Sequence, residues 1–376
     1  MRWLLRQDSR IDWILFFSLL PLLIFGLVTM SSFTSESYFF YRQVTWILLS
    51  LAIFFGFSLV DWRFLRRSGI LVGGYLFLVG LLLLLFVIGT VTKGAQSWLS
   101  LGGFSLQPAD FMKLVLVLML AKYFSKRHIE IANIRHIIVS GVYAFLPFVA
   151  IMLQPDFGSA LIIFMIWLGM ILVSGVSRKH LAWLGLVAII FSVGAWMFVL
   201  QDYQKARIMT FIHPLADVRG SGYNALQSTI AVGSGQLTGK GVGYGTQSRL
   251  KFLPEYQTDF IFAAFAEEWG FFGVLIFFFL FGLIIWRILA IAMKGATNFE
   301  ILFGLGIAVM FMAHLIVHVG MNIGIMPVTG LPLPFLSYGG SHLLTEFMGL
   351  GILMGMRSYS LAYHRDDVKN EFIGPQ

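Results

Sequence analysis

The chain contains no cysteine, which removes disulfides, thiolate metal sites and cysteine nucleophiles from consideration together. Charge is also scarce: 12% of the 376 residues are Asp, Glu, Lys or Arg, about half the share in an ordinary soluble domain. What is abundant is apolar. Hydrophobic residues make up 58% of the chain, and the mean hydropathy is +0.85. Residues 70–89 carry no charge at all, and about 20 such residues as a helix cross about 30 Å of hydrocarbon. These features predict an all-α polytopic membrane protein, one transmembrane domain over residues 1–376. A formal charge of +8 does not point to nucleic acid, because the basic residues lie in small groups between apolar runs and form no stripe.

Hydropathy places about ten spans, at 13–33, 43–60, 69–90, 108–124, 136–153, 158–175, 181–200, 259–286, 301–325 and 336–356. Ten crossings put both termini on one side. That side carries seventeen of the 26 Lys and Arg residues and the other carries eight, with Lys113 inside a helix, so both termini are expected in the cytoplasm. The first apolar run follows Arg2, Arg6 and Arg10 and lacks a small-residue cleavage site, so it is expected to remain as the first helix. Three outer features remain: a Gly/Ser-rich loop at 91–107, a large extracytoplasmic loop at 201–257 and a Pro/Gly-rich turn at 326–341. The large loop is too rich in Tyr, Phe and Ile for a linker and is expected to fold into short amphipathic or re-entrant helices on the bundle. Gln107-Pro108-Ala109-Asp110 and Gln154-Pro155-Asp156 each precede an inward-running helix, which hints at an internal repeat.

An ionisable residue inside a span costs about 2.5–3.5 kcal/mol, so each one calls for a partner, water or a task. Asp110 and Lys113 stand three apart on one helical face and can pair. Either the Asp complements the helix dipole while the Lys snorkels to the interface, or the two form the charged wall of a wet cavity. Asp259, in Tyr256-Gln257-Thr258-Asp259-Phe260, reads either as a helix N-cap or as a general base where bilayer meets water. Glu267 and Glu268 lie about 12–14 Å further along at about 1.5 Å per residue, point to different faces, and are expected to serve structure or conformation. His314 and His318 are four apart, a spacing that suits two metal ligands, but no third ligand is evident and hydrogen-bonding histidines are expected. Gly233-Ser234-Gly235-Gln236-Leu237-Thr238-Gly239-Lys240-Gly241 has the look of a phosphate loop, yet Ser234 occupies the first glycine position and Gly241 follows the lysine. That excludes a nucleotide and leaves a Gly-rich nest that could hold a lipid pyrophosphate.

Several stretches, taken in order, resemble the SEDS family (shape, elongation, division and sporulation) over nearly the whole chain, its elongation branch most closely. They are Lys93-Gly94-Ala95-Gln96-Ser97-Trp98, Leu106-Gln107-Pro108-Ala109-Asp110, Gln154-Pro155-Asp156-Phe157-Gly158, Gly245-Thr246-Gln247-Ser248, Thr258-Asp259-Phe260 and Ser337-Tyr338-Gly339-Gly340-Ser341. The resemblance implies a peptidoglycan glycosyltransferase that polymerises lipid II into β-1,4 glycan at the outer face of the cytoplasmic membrane during cell elongation. It implies Asp259 as the general base, and a class B penicillin-binding protein (a transpeptidase), the nascent glycan and membrane lipid as partners. Substrate contacts are expected from Asp110, Lys113, Lys93, Trp98, Gln107, Asp156, Lys240 and Ser337. A lysine among these, or a divalent cation (Mg or Mn), would neutralise the pyrophosphate, and Asp110 and Lys113 are expected to face Asp259 across one cavity. Ser97, Asp110, Gln257, His213 and His318 depart from the family pattern of Arg, Glu, His, Asp and Asn. The competing class is a lipid II flippase or other transporter, which would need a cavity alternating between both faces.

Overall fold

The computed structural model describes residues 10–31, 38–92, 95–101, 104–126, 134–175, 202–213, 221–250, 252–253 and 255–371, with isolated positions between 179 and 197. Lys93 and most of the expected span 181–200 lie outside the described residues. The other nine expected spans each contain a helix: α1 (Trp13–Ser31), α2 (Tyr38–Leu59), α3 (Ser68–Ile88), α4 (Pro108–Ser125), α5 (Ile134–Leu153), α6 (Phe157–Val173), α10 (Ile261–Ala292), α11 (Asn298–Asn322) and α12 (Gly340–Glu371). Among the described residues, α1, α2, α3, α5, α10 and α11 are long and apolar enough to cross a membrane. Large apolar side chains stand exposed on the outer helices, Phe77 at 68%, Val87 at 80% and Phe279 at 70%, as expected of a surface whose solvent is lipid. α4 is different. Asp110, Lys113 and Lys122 lower its hydropathy, and it is surrounded by protein, packing on α3, α6 and α11 with most of its residues buried.

The structure departs from the expectations in two places. The loop at 91–107 is not irregular: β1 (Thr90–Thr92), β2 (Ala95–Leu101) and β3 (Phe104–Leu106) form an antiparallel sheet in the order β1-β2-β3, with Trp98 opposite Thr90. The short β-branched run Thr90-Val91-Thr92 favours strand, and antiparallel pairing lets each strand's backbone satisfy its neighbour. The molecule is therefore mostly helical with a small sheet. The large loop folds into α7 (Asp202–Ile212), α8 (Ser221–Ser234) and α9 (Thr246–Arg249), and α8 packs on α10 and α11. The large loop thus folds as expected; the second departure is that α10 is not one continuous span.

Gly270 breaks α10 with φ 64° and ψ −167°. The amides of Phe271 and Phe272 would ordinarily bond the carbonyls of Glu267 and Glu268, four residues back. Instead Phe271 N donates to Gln236 O (2.9 Å) and Phe272 N to Leu237 O (3.1 Å), while Glu267 O accepts from Lys240 N (2.9 Å) and Glu268 O from Gly241 N (3.0 Å). The Gly-rich segment thus inserts into the helix and replaces both lost bonds with four of its own. Glycine is required on both sides. A Cβ on Gly270 would lie 2.1 Å from Gly239 N, and one on Gly239, itself at φ +79°, would lie 2.0 Å from Glu268 O.

Candidate functional site

Asp259 lies in the turn 255–260 that leads into α10, with Phe260, not Asp259, as the N-cap and no side chain capping it. Its neighbours on either side are anchored. Tyr256 and Phe260 are buried in a small apolar cluster with Ala231, Leu253, Ala263 and Ala264, against which Val328 packs. With those aromatics turned inward, the carboxylate between them stays half-buried at the rim. Glu255, at φ 54°, accepts from Thr258 N (3.1 Å) and Phe260 N (3.2 Å) and so closes the turn.

Two neighbouring elements hold this turn in place. From α11, the fully buried Asn322 donates from Nδ2 to the Asp259 carbonyl (3.1 Å) and the His318 carbonyl (2.8 Å), while its Oδ1 accepts from Ala263 N (3.2 Å) and Ser228 Oγ (3.2 Å). Reversing the amide would set oxygen against two carbonyls, so one orientation satisfies every group. From the Pro-rich turn, Ser337 Oγ donates to the Thr258 carbonyl (2.8 Å) and accepts from Leu333 N (2.7 Å), and Tyr338 N donates to the Gln257 carbonyl (2.8 Å). Gln43 of α2 adds a bond to the Ser337 carbonyl (3.1 Å). The Asp259 carboxylate lies over Gly330: an ideal Cβ there, on a backbone at φ +73°, would sit 3.5 Å from Oδ2. His318 Nδ1 donates to the next carbonyl, Leu331 O, at 2.6 Å.

Asp110 and Lys113 form a second centre, buried at 3% and 2% exposure. Lys113 Nζ lies 2.9 Å from Asp110 Oδ1, and Ser341 Oγ donates to Oδ2 at 2.9 Å. His314 Nδ1 is 2.8 Å from the Met310 carbonyl, which can only accept, so Nδ1 carries the hydrogen and Nε2 offers its lone pair to Lys113 Nζ at 3.5 Å. His342 Nδ1 stands 3.7 Å from Asp110 Oδ1, and its Nε2 is 2.9 Å from Glu346 Oε1, an ion-pair distance without hydrogen-bond alignment. Lys113 is therefore buried within the bundle with its amine paired to Asp110. Its charge joins α4, α11 and α12 in the core.

The remaining expected residues are equally committed. Gln107 Nε2 donates to Asp156 Oδ2 (2.8 Å), and Asp156 Oδ1 caps α6 through Ser159 N (3.0 Å), so the two similar Gln-Pro motifs meet and tie α4 to α6. Trp98 is half-buried on β2. Lys240, expected in a pyrophosphate nest, has Nζ 2.7 Å from Glu267 Oε1 and 2.8 Å from Thr246 Oγ1, and the nest amides bond the Glu267 and Glu268 carbonyls. Glu267 also accepts from Gln247 N (3.1 Å) and Glu268 from Gly243 N (2.6 Å), so one loop serves two carboxylates that were expected to face apart. Among the described residues no group of three or more His, Asp or Glu side chains could hold a metal ion, so these residues build no cage for Mg or Mn around Asp259.

Sequence reasoning passed over Arg42, Gln43, Asn322 and Gly330. Arg42 is a half-buried cation at the outer end of α2, its guanidinium 4.7 Å from the Tyr38 ring centroid and hydrogen-bonded to Tyr338. The signal available for it was a lone arginine opening an apolar run on the side poor in basic residues. Asn322, a fully polar amide at the end of a span, had the same kind of visibility.

The model of the FtsW, RodA and SpoVE cell cycle proteins matches residues 10–361. The peptidoglycan glycosyltransferase MrdB of Escherichia coli K12 is 38% identical over 287 residues, 76% of this chain and 77% of that protein. The probable peptidoglycan glycosyltransferase FtsW of Bacillus subtilis is 34% identical and spans 97% of this chain and 94% of its own length. A chain in a solved peptidoglycan synthase complex, described as coordinating polymerization and crosslinking, superposes with a TM-score of 0.80 at 29% identity, covering 93% of this chain and 98% of that one. The rod shape determining protein RodA of Thermus thermophilus gives 0.69 at 29% identity, covering 92% and 96%. The chain belongs to the family of FtsW, RodA and SpoVE.

Proposed function

We propose that this chain is a peptidoglycan glycosyltransferase that polymerises lipid II at the outer membrane face, with Asp259 as general base. The observation that carries this reading is the contrast in how the acidic side chains are held. Asp110, Glu267 and Glu268 are sealed inside at 3% exposure or less, whereas Asp259 sits half-exposed on an anchored turn with its carboxylate over Gly330. A base must be placed accurately yet be reachable by its proton.

A sugar 4-hydroxyl is a poor nucleophile until its proton is removed. Asp259 accepts that proton as the oxygen bonds to the anomeric carbon, the bond from that carbon to the pyrophosphate oxygen breaks, and the electron pair leaves on the polyprenyl pyrophosphate. In-line displacement inverts an α linkage to a β-1,4 linkage. The leaving group needs positive charge and no acid. With Lys113 and Lys240 committed to carboxylates, Arg42 beside Tyr338 is the cation we assign to that anion, together with any Mg or Mn the pyrophosphate brings. Crosslinking of the product falls to a class B penicillin-binding protein, a reading supported by the synthase complex to which this fold is similar.

The test is reconstitution in liposomes with labelled lipid II, with and without such a partner, and separation of glycan chains by gel. Chains that lengthen with the native protein and vanish with Asp259→Asn support the assignment. Translocation of lipid II without polymer would establish the transporter instead.

A further inference from the structure

At the far end of the bundle from Asp259, the start of α1, the last turn of α10, the first turn of α11 and the middle of α12 line a hollow open to solvent. Its charged lining is Asp12, Arg287, Lys294, Glu300 and Arg357. Glu300 is already matched from outside the hollow by Arg66 and accepts from Ala296 N at 2.8 Å. Asp12 pairs with two of the three cations in this lining, Arg287 and Arg357. Its Oδ1 accepts from Leu15 N (3.0 Å) and Arg287 Nε (3.2 Å), and its Oδ2 takes Arg287 Nη2 and faces Arg357 Nη1 at 3.2 Å. One carboxylate therefore serves two guanidiniums while Lys294 adds a further positive charge. The guanidiniums are poorly hydrated, with side chains 19% and 12% exposed, so water does little to screen the excess.

Two further features define what fits. A guanidinium fork matches the tetrahedral oxygens of a phosphate better than it matches chloride or a lone carboxylate. Beside these charges the wall turns apolar, with Ile291, Leu353 and Met356. Depth is set by Trp286, 57% exposed with the Arg287 guanidinium 5.2 Å from its ring centroid, since exposed tryptophans gather at headgroup level. We propose that this hollow binds the phosphate of an anionic phospholipid headgroup, with the glycerol end resting on Ile291, Leu353 and Met356. By the distribution of basic residues, the lipid belongs to the cytoplasmic leaflet. The site is separate from the Asp259 turn, and a lipid there would hold the cytoplasmic ends of four helices together.

The shared chemistry, a phosphate, could also come from solution, and the experiment separates the two sources. The full chain in detergent is titrated with phosphatidylglycerol, phosphatidylcholine or inorganic phosphate. Bound lipid is counted by native mass spectrometry and the unfolding midpoint is followed. Phosphatidylglycerol is expected to bind and raise the midpoint where phosphatidylcholine does not. Lys294→Gln, at an exposed helix end, and Arg357→Gln are each expected to weaken that binding about fivefold. Equal binding of both lipids, or unchanged phosphatidylglycerol affinity in both variants, would overturn the proposal. Inorganic phosphate alone reproducing the whole effect would overturn the lipid assignment and leave a soluble anion site.

Discussion

The turn at Asp259 and the cluster at Asp110 each present a carboxylate near the N-terminal end of a helix, and the structure uses them in opposite ways. Asp110 is held by its oxygens: Lys113, Ser341 and His342 surround the carboxylate, and the helix backbone around it is ordinary. Asp259 is held by its main chain: Asn322 grips its carbonyl and Ser337 grips that of Thr258. Groups spent on holding a side chain are not available to a substrate. Asp259, anchored at its carbonyl, keeps a half-exposed side chain, whereas Asp110 is buried among its partners as part of the frame.

Substitutions can break or sharpen that contrast. Asp259→Asn is expected to lower glycan polymerisation by at least about a hundredfold while the unfolding midpoint stays put, as for loss of a general base; an active variant would erase the distinction. Lys113→Met is expected to do the reverse first, destabilising the protein by about 3–5 kcal/mol, because it strands a buried charge. Adding Asp110→Leu should recover much of that loss in unfolding titrations, and no recovery would show that Asp110 matters beyond the pair. Lys240→Met is expected to cost about 2–3 kcal/mol, the range for hydrogen bonds to a charged group, and to speed hydrogen exchange at the Phe271 and Phe272 amides without affecting those near Asp110. Gly330→Ala carries the smallest effect, about 1–2 kcal/mol for forcing an L side chain to φ +73°. Its methyl would sit 3.5 Å from Asp259 Oδ2, so turnover is expected to fall more than substrate affinity, measured as kcat against KM.

The helices were legible because lipid leaves a simple mark, a long apolar run, and nine expected spans each overlap a helix, although the last helix runs on to Glu371, well past the expected end at 356. Asp259 was legible as a residue at the rim, and pairing of Asp110 with Lys113 followed from their spacing. Burial of that pair was not, since hydropathy cannot tell a helix ringed by other helices from one ringed by lipid, and α4 is of the first kind. Nor was the role of Lys240. A Gly-Lys segment reads the same whether its amides meet a phosphate or two carbonyls, and only the distant Gly270 decides between them. Asn322 was missed for a similar reason: its four partners come from three separate stretches of chain.

The interruption at Gly270 bears on how the protein is made. Amides without partners cost several kcal/mol each in hydrocarbon, so α10 cannot settle in lipid with Phe271 and Phe272 unserved. The segment that serves them, residues 236–241, is translated first and lies on the N-terminal side of the helix it completes. Membrane insertion of α10 and docking of that segment are therefore one event. A nascent chain that fails to bring them together exposes a polar gap to the bilayer, the kind of defect that membrane quality control can detect.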